Sequence, residues 1–331
     1  MSVLGLGSRL TIAKEGTFGT ASVGTYRAIP FLSESLKKTT ERVVSPSLRG
    51  GFMVRSAAAT RNGKTIVRGD VQSLLHDSGA SLLWEAMLGK NTTAGAGPYT
   101  HTAVLQDVGS DLPSYTIQVG LGGTSSSFSR KRVLGAVVES WELAASAGDP
   151  VTLGITWVGQ DAAVAESTAT TGTVPSSQTY YDWRDCTISI DTLTLDCVTS
   201  FTLSGNNGIN ADRYCLGQAL MSHPKRNAAT ELTGVATIYL PSNSATTTPT
   251  DLVAAMQDTG TLDLTATFLV SGGSNEVEIT ATAQIQADDY PAVDGEAELT
   301  ITIPFVIYRE DDAATDASAF TVVCTNGDAT A

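Results

Sequence analysis

The 331-residue chain carries 20 Lys and Arg against 34 Asp and Glu, a formal net charge of −14, and 42% of it is hydrophobic. That apolar content supplies a core and excludes a disordered tail. The acidic balance excludes a protein that grips nucleic acid, because such grip comes from Lys and Arg displacing phosphate counterions. Few aromatics, sparse charge and abundant Thr, Ser, Ala, Val and Gly favour an all-β chain with minor helix.

Along the chain, MSVLGLGSRLTIAKEG reaches Arg9 before any apolar run attains signal-peptide length, and no later stretch approaches the roughly 18 to 20 apolar residues of a membrane helix. The sequence reads as a product made and kept in a cytoplasm. A basic stretch comes next. Lys37, Lys38, Arg42, Arg49, Arg55, Arg61, Lys64 and Arg68 face only Glu34 and Glu41, a local net charge of +6. In DSGASLLWEAMLG, Ser78 reads as an N-cap, Leu82, Leu83, Ala86 and Met87 as an apolar stripe, and Gly89 as the C-terminal cap of a short helix. The next segment, 90–113, reads as a linker. SYTIQVGL, with Tyr115, Ile117, Val119 and Leu121 on one side, opens a series of strands with one buried face.

The stretch 161–182, rich in Thr, Ser and Ala and without periodicity, reads as a boundary between a domain at 1–160 and another at 183–331. In CTISIDTLTLDC, a tight turn at Asp191 and Thr192 places Cys186 across a hairpin from Cys197, and a cytosolic product favours two reduced thiols there. A second short helix is expected over 248–260, and two alternating strands come after it at 275–286 and 297–307. From Glu276 onward, twelve acidic residues meet one basic residue, Arg309, for a local net of −11.

The segments 33–65 and 200–232 overlay without gaps, aligning Leu36 with Leu203 and Gly50 with Gly217. Beyond these segments both halves keep one order of elements: strand, helix, then three strands. This is the pattern of a tandem duplication. The polar faces of the second-half strands carry Asp263, Thr265 and Thr267, then Glu276, Glu278, Thr280, Thr282, Gln284 and Gln286, then Glu298, Thr300 and Thr302, with no Lys or Arg among them. An ordinary solvated face mixes both signs. A face past which a polyanion slides excludes cations, so these positions are lumen candidates.

No catalytic constellation emerges. His76, His101 and His223 stand apart from any nucleophile motif, GxSxG is absent, and the four cysteines lack metal spacing. Asp288 and Asp289 read as a solvated turn. No enzyme activity, cofactor or metal is expected.

KEGTFGTA near the N-terminus, the arm IPFLSESLKKTTERVVSPSLRGG, the unit GKTIVRGDVQSLLHDSGASLLWEAMLG and CTISIDTLTLDCVTSFTLSGNNGI together resemble the major tail tube proteins of long-tailed bacteriophages. The resemblance implies a virion protein assembled in the host cytoplasm, a β-sandwich with a flanking helix that forms stacked rings. It implies a lumen through which double-stranded DNA passes without specific binding, and tape measure, tail terminator and distal tail proteins as partners. It also implies that Lys37, Lys38, Arg42, Arg49, Arg55 and Arg61 belong to an arm reaching a neighbouring subunit or ring. Two sandwiches per chain imply a trimeric, pseudo-hexameric ring. The alternatives are a hexamer whose second half projects outward, and a decoration protein that never polymerises.

Overall fold

The computed structural model describes residues 7–45, 53–54, 57–107, 109–121, 129–164, 172–174, 178–191, 193–240, 254, 257, 260–270, 272–286, 298–309 and 319–329. The first half contains β1 (Arg9–Lys14), β2 (Arg27–Ile29), β3 (Ser33–Glu34), β4 (Lys37–Val44), β5 (Thr60–Leu74), α1 (Ala80–Leu88), β6 (Gly89–Ala94), β7 (Tyr99–Leu105), β8 (Tyr115–Leu121), β9 (Ser129–Ser146), β10 (Thr152–Gly159) and β11 (Asp161–Val164). The second contains β12 (Cys186–Ile190), β13 (Leu193–Thr194), β14 (Val198–Asn206), β15 (Ile209–Asn210), β16 (Lys225–Arg226), β17 (Glu231–Tyr239), β18 (Leu262–Leu269), β19 (Glu276–Ile285), β20 (Thr300–Ile307) and β21 (Phe320–Asn326). The architecture is all-β with one helix among these elements. The second expected helix lies outside the described residues apart from Ala254, Gln257 and Gly260.

The two halves pair their strands in the same antiparallel order. In the first it runs β4–β5–β10–β9–β8–β1–β2. In the second it runs β14–β17–β20–β19–β18–β12–β13. Register agrees in detail. Gly69 sits opposite Trp157, and Gly234 sits opposite Phe305. A Cβ at Gly69 would fall 2.5 Å from the Ser35 carbonyl oxygen, and one at Gly234 would fall 2.7 Å from that of Thr202. Ser35 and Thr202 are aligned in the gapless overlay, so both halves need glycine where β5 or β17 crowds the preceding strand.

The halves are also joined strand to strand. β14 pairs with the C-terminal part of β9, Ser200 opposite Ser146 through Asn206 opposite Ser140. β21 pairs with β7, which pairs with β6. The segment expected to be a linker at 90–113 is therefore largely a β-hairpin. Its alternation is hidden by Thr and Ala, and its outer partner lies more than two hundred residues away in sequence. Residues 161–164, at the start of the expected boundary stretch, form β11 along β9.

Helix α1 sits inside this joint, which explains why all nine of its residues are buried rather than one stripe. Its start also differs from expectation, since Gly79, in the left-handed region, replaces Ser78 as the N-cap. Gly89 closes the helix as expected, its N–H donating to Glu85 O. Trp84 meets Trp141 of β9 edge to face at 5.7 Å, and Glu85 pairs with Lys14 at 2.6 Å. Asn207 Nδ2 donates to Met87 O and Val138 O at 3.0 and 3.1 Å, tying the second half to α1 and β9.

β9 runs for 18 residues and changes layers midway. Its N-terminal part lies beside β8 and β11, its C-terminal part beside β10 and β14. The turn is made at Gly135, φ +63°, where a Cβ would also press within 2.9 Å of the Phe18 ring. Buried Glu15 fixes this point. Its Oε1 accepts from Gly135 N and Thr116 Oγ1, both at 2.9 Å, and its Oε2 accepts from Gly19 N at 2.9 Å and Ser114 Oγ at 2.8 Å. Each oxygen takes one backbone N–H, so either orientation of an amide would set an NH2 group against a backbone donor. Glu15→Gln should therefore lower stability by about 1–3 kcal/mol in urea unfolding of the dilute protein. An unchanged midpoint would remove Glu15 from this role.

Candidate assembly surfaces

Residues directly opposite across antiparallel strands share a face. One uninterrupted row runs Gln72, Gly154, Glu142, Ser204, Thr233, Val306, Gln284, crossing β5, β10, β9, β14, β17, β20 and β19. A parallel row runs Asp70, Thr156, Ser140, Asn206, Glu231. Thr202, Thr237, Thr300 and Thr302 lie on the same face. Neither row contains a Lys or Arg. Among the described residues, cations on this face appear toward β4, where Lys37 lies opposite Arg68 and the Arg68 Nε donates to Glu139 at 2.9 Å.

The positions expected to share one lumen face fall in two sets of pairings that meet on β19. Thr300, Thr302 and Gln284 stand on the seven-strand face just described. Asp263, Thr265 and Thr267 stand opposite Thr282, Thr280 and Glu278, and Glu276 stands opposite Leu269. These positions are bordered by β12 and by β21, where a row continues from Thr267 through Glu278, Val323 and Thr102 to Thr92. Exposed Gln286 and Glu298 flank the strands. Alternation along β19 is unbroken from Glu276 to Ile285, so this strand carries both sets on one side.

Among the arm candidates, β4 and β5 form a two-stranded ribbon from Lys37 opposite Arg68 to Val44 opposite Thr60. Lys38 Nζ lies 2.5 Å from Asp161 Oδ1, so this cation is held within its own half. Arg42 donates to Asn62 across the ribbon. Lys37 and Arg61 are exposed and make no ion pair among the described residues. Arg49 and Arg55 lie outside those residues. Near the ribbon's end, apolar side chains face solvent: Val43 at 56% exposure, Val54 at 83% and Met53 at 105%. The outer edge of β4 has no strand partner among the described residues.

The corresponding part of the second half, 207–226, is folded back. Tyr214 Oη donates to Thr65 O at 2.8 Å, Thr65 N donates to Ala219 O at 3.0 Å, and Lys64 pairs with Asp212 at 2.6 Å while lying 4.9 Å over the Tyr214 ring. Gln160 Nε2 donates to Met221 O at 2.8 Å, and the Met221 side chain is fully buried. His223 stacks on Phe18 at 4.5 Å and its Nε2 lies 3.1 Å from Leu112 O. Burial pushes the His223 pKa down although Asp111 lies 3.6 Å away, so the ring is neutral at pH 7. Lys225 takes the Asp111 carboxylate instead, at 2.5 Å. Sequence reasoning missed Glu15, Tyr214 and Met221 as organising residues. For Glu15 the signal was present in KEGTFG.

The chemistry elsewhere is quiet. His76 is buried, with Nδ1 2.9 Å from Leu74 O, and His101 lies between Thr93 Oγ1 and Asp328 O, each at 2.9 Å. Burial pushes the Cys186 and Cys324 thiols up to about 12, which keeps them protonated. Cys186 and Cys197 are free: the expected hairpin closes at Ile190 opposite Leu193, but the chain turns to positive φ at Cys197. The described residues hold no group of three or more His, Cys, Asp or Glu able to bind a metal. No helix there is long and apolar enough to cross a membrane.

No curated protein matches the chain. The family model described as phage tail tube protein matches residues 5–306, nearly all of the 331-residue chain. With polar sheet faces, open strand edges and an exposed ribbon as its main surface features, the chain belongs to the phage tail tube protein family.

Proposed function

We propose that this structural tail protein builds its tube from stacked rings of three chains. Each chain contributes two β-sandwich copies, 1–160 and 183–331 joined through 161–182, and the seven-strand polar face lines the lumen. The observation carrying this reading is the unbroken row from Gln72 to Gln284, which crosses from one half to the other at β9 and β14. A second half projecting outward would have no reason to continue the first half's sheet in this way. The identical pairing order of the halves supports six near-equivalent units in a closed ring.

The lumen then acts passively. Glu142, Glu231 and Asp70, with Thr, Ser, Asn and Gln between them, repel or ignore phosphates, so double-stranded DNA passes without being held. The basic ribbon faces protein: Lys37, Arg42, Arg49, Arg55 and Arg61 meet acidic neighbours in the same or the next ring, which sets register and orientation. The tape measure, tail terminator and distal tail proteins are the partners inside and at the ends of such a tube. The structural family role leaves no enzymatic step to assign.

Negative-stain micrographs of the purified protein should show hollow tubes of uniform diameter, with three chains per ring by mass. Six chains per ring would overturn the duplication reading. Combined Arg42→Glu, Arg49→Glu and Arg55→Glu should leave a folded monomer or ring yet stop tube growth, and tubes of normal length from that variant would sink the arm assignment. Glu142→Lys with Glu231→Lys should leave tube diameter unchanged but slow genome release from virions by about tenfold or more. An unchanged release rate would show that this face does not line the channel.

A further inference from the structure

We infer that the contact between the second ribbon and the first half is the internal copy of a contact between chains, in which Met53 and Val54 of one chain dock beside Tyr308 of a second copy. The inference rests on the two-copy reading proposed above. Counted from Leu36 and Leu203 along the overlay, Leu220 and Met221 align with Met53 and Val54. Met221 is fully buried against its own first half, whereas Met53 and Val54 are 105% and 83% exposed. Equivalent positions in equivalent copies thus differ in one respect: one has its receptor within the chain, and the other does not.

The receptor can be located by the same logic. Met221 O is bound by Gln160, the residue after β10, three positions beyond Trp157. Its counterpart is Tyr308, the residue after β20, three positions beyond Phe305. Both continue their strand through the same backbone bond, Gln160 N to Leu134 O and Tyr308 N to Thr282 O, each 2.9 Å. Tyr308 is 46% exposed. Charge agrees with a second copy as the occupant: the ribbon segment Glu34–Arg68 nets +6, and the region from Glu276 onward nets −11. The internal contact is also made by ion pairs, Lys225 of the second ribbon on Asp111 of the first half and Asp212 of the second ribbon on Lys64.

The free outer edge of β4 fits the same geometry. Its counterpart β14 has that edge covered by β9. A ribbon docked at Tyr308 brings β4 alongside the corresponding half of the neighbouring copy, which removes the exposed edge.

The test is disulfide trapping in full-length protein carrying Cys197→Ser and Cys215→Ser, which removes the two exposed native thiols. Val54→Cys with Tyr308→Cys should, on mild oxidation of assembled tubes, give covalent ladders of chains, while either substitution alone gives none. Gln160→Cys with Met221→Cys should close within a single chain and serves as the positive control. Tubes that form without inter-chain linkage, or a link that closes within one chain, would overturn the docking site and leave the tube reading standing. Absence of tubes from the parent protein would overturn both. Independently, Met53→Asp with Val54→Asp should raise the concentration needed for assembly about tenfold or more without altering monomer unfolding. An unaltered assembly concentration counts against the contact.

Discussion

The fold depends on one strand belonging to two layers and two halves at once. β9 can do this only because it turns at Gly135, and the turn holds only because Glu15 satisfies its backbone N–H from inside the core. A buried carboxylate is costly unless its lone pairs are filled, and here four donors fill them. From that point β9 delivers its N-terminal part to β8 and its C-terminal part to β10 on one side and β14 on the other. The polar face that crosses the whole chain results from this placement. So does the burial of α1, which is covered by β6, β7 and β9 together with β21 of the other half.

Much of this was legible in sequence, and the rest was hidden for physical reasons. Period-2 alternation identified β19 and β20 with Val277 to Ile285 and Ile301 to Ile307 buried, because a half-buried strand must alternate, whereas in β8 Thr116 and Gln118 are buried as well and Leu121 is exposed. The helix 80–88 was legible from its length and its glycine cap, but its complete burial was not, since nothing local says that a second half covers its far side. The β6–β7 hairpin reads as a linker in sequence because its apolar content is low and its stabilising partner, β21, is distant in the chain. Pairings of that separation leave no local trace.

The candidate lumen shows the same limit more sharply. Alternation fixes on which side of a strand a residue stands, but not in which layer the strand runs. Thr302 and Thr265 have the same local pattern, yet one stands opposite Thr237 of β17 and the other opposite Ser189 of β12. The distinction comes from β19, which meets β20 only at Ala283–Ile285 and yields its remaining edge to β21. The Gly69 and Gly234 positions, opposite Trp157 and Phe305, would have been the best sequence marker of the proposed duplication. They escape a linear overlay because the ribbon between β4 and β5 is two residues longer than that between β14 and β17 when measured from Leu36 and Leu203.

The proposed duplication would also explain why the two ribbons differ in charge. On the proposed reading, the second ribbon meets its receptor within the same molecule, where no translational or rotational freedom is lost, so modest contacts such as Lys64 with Asp212 and Lys225 with Asp111 suffice. The first ribbon must find a separate chain. Association of that kind gains from long-range attraction that orients the encounter before short-range packing begins. Beyond Lys38, Lys64 and Arg68, which pair within the chain, the cations between Glu34 and Arg68 are what a ribbon needs if its receptor must be reached by diffusion, and the acidic second half is what such a ribbon would be drawn to. The same segregation keeps cations out of the row from Gln72 to Gln284, so on the proposed reading steering between subunits and free passage of a polyanion come from one distribution of charge rather than two competing ones.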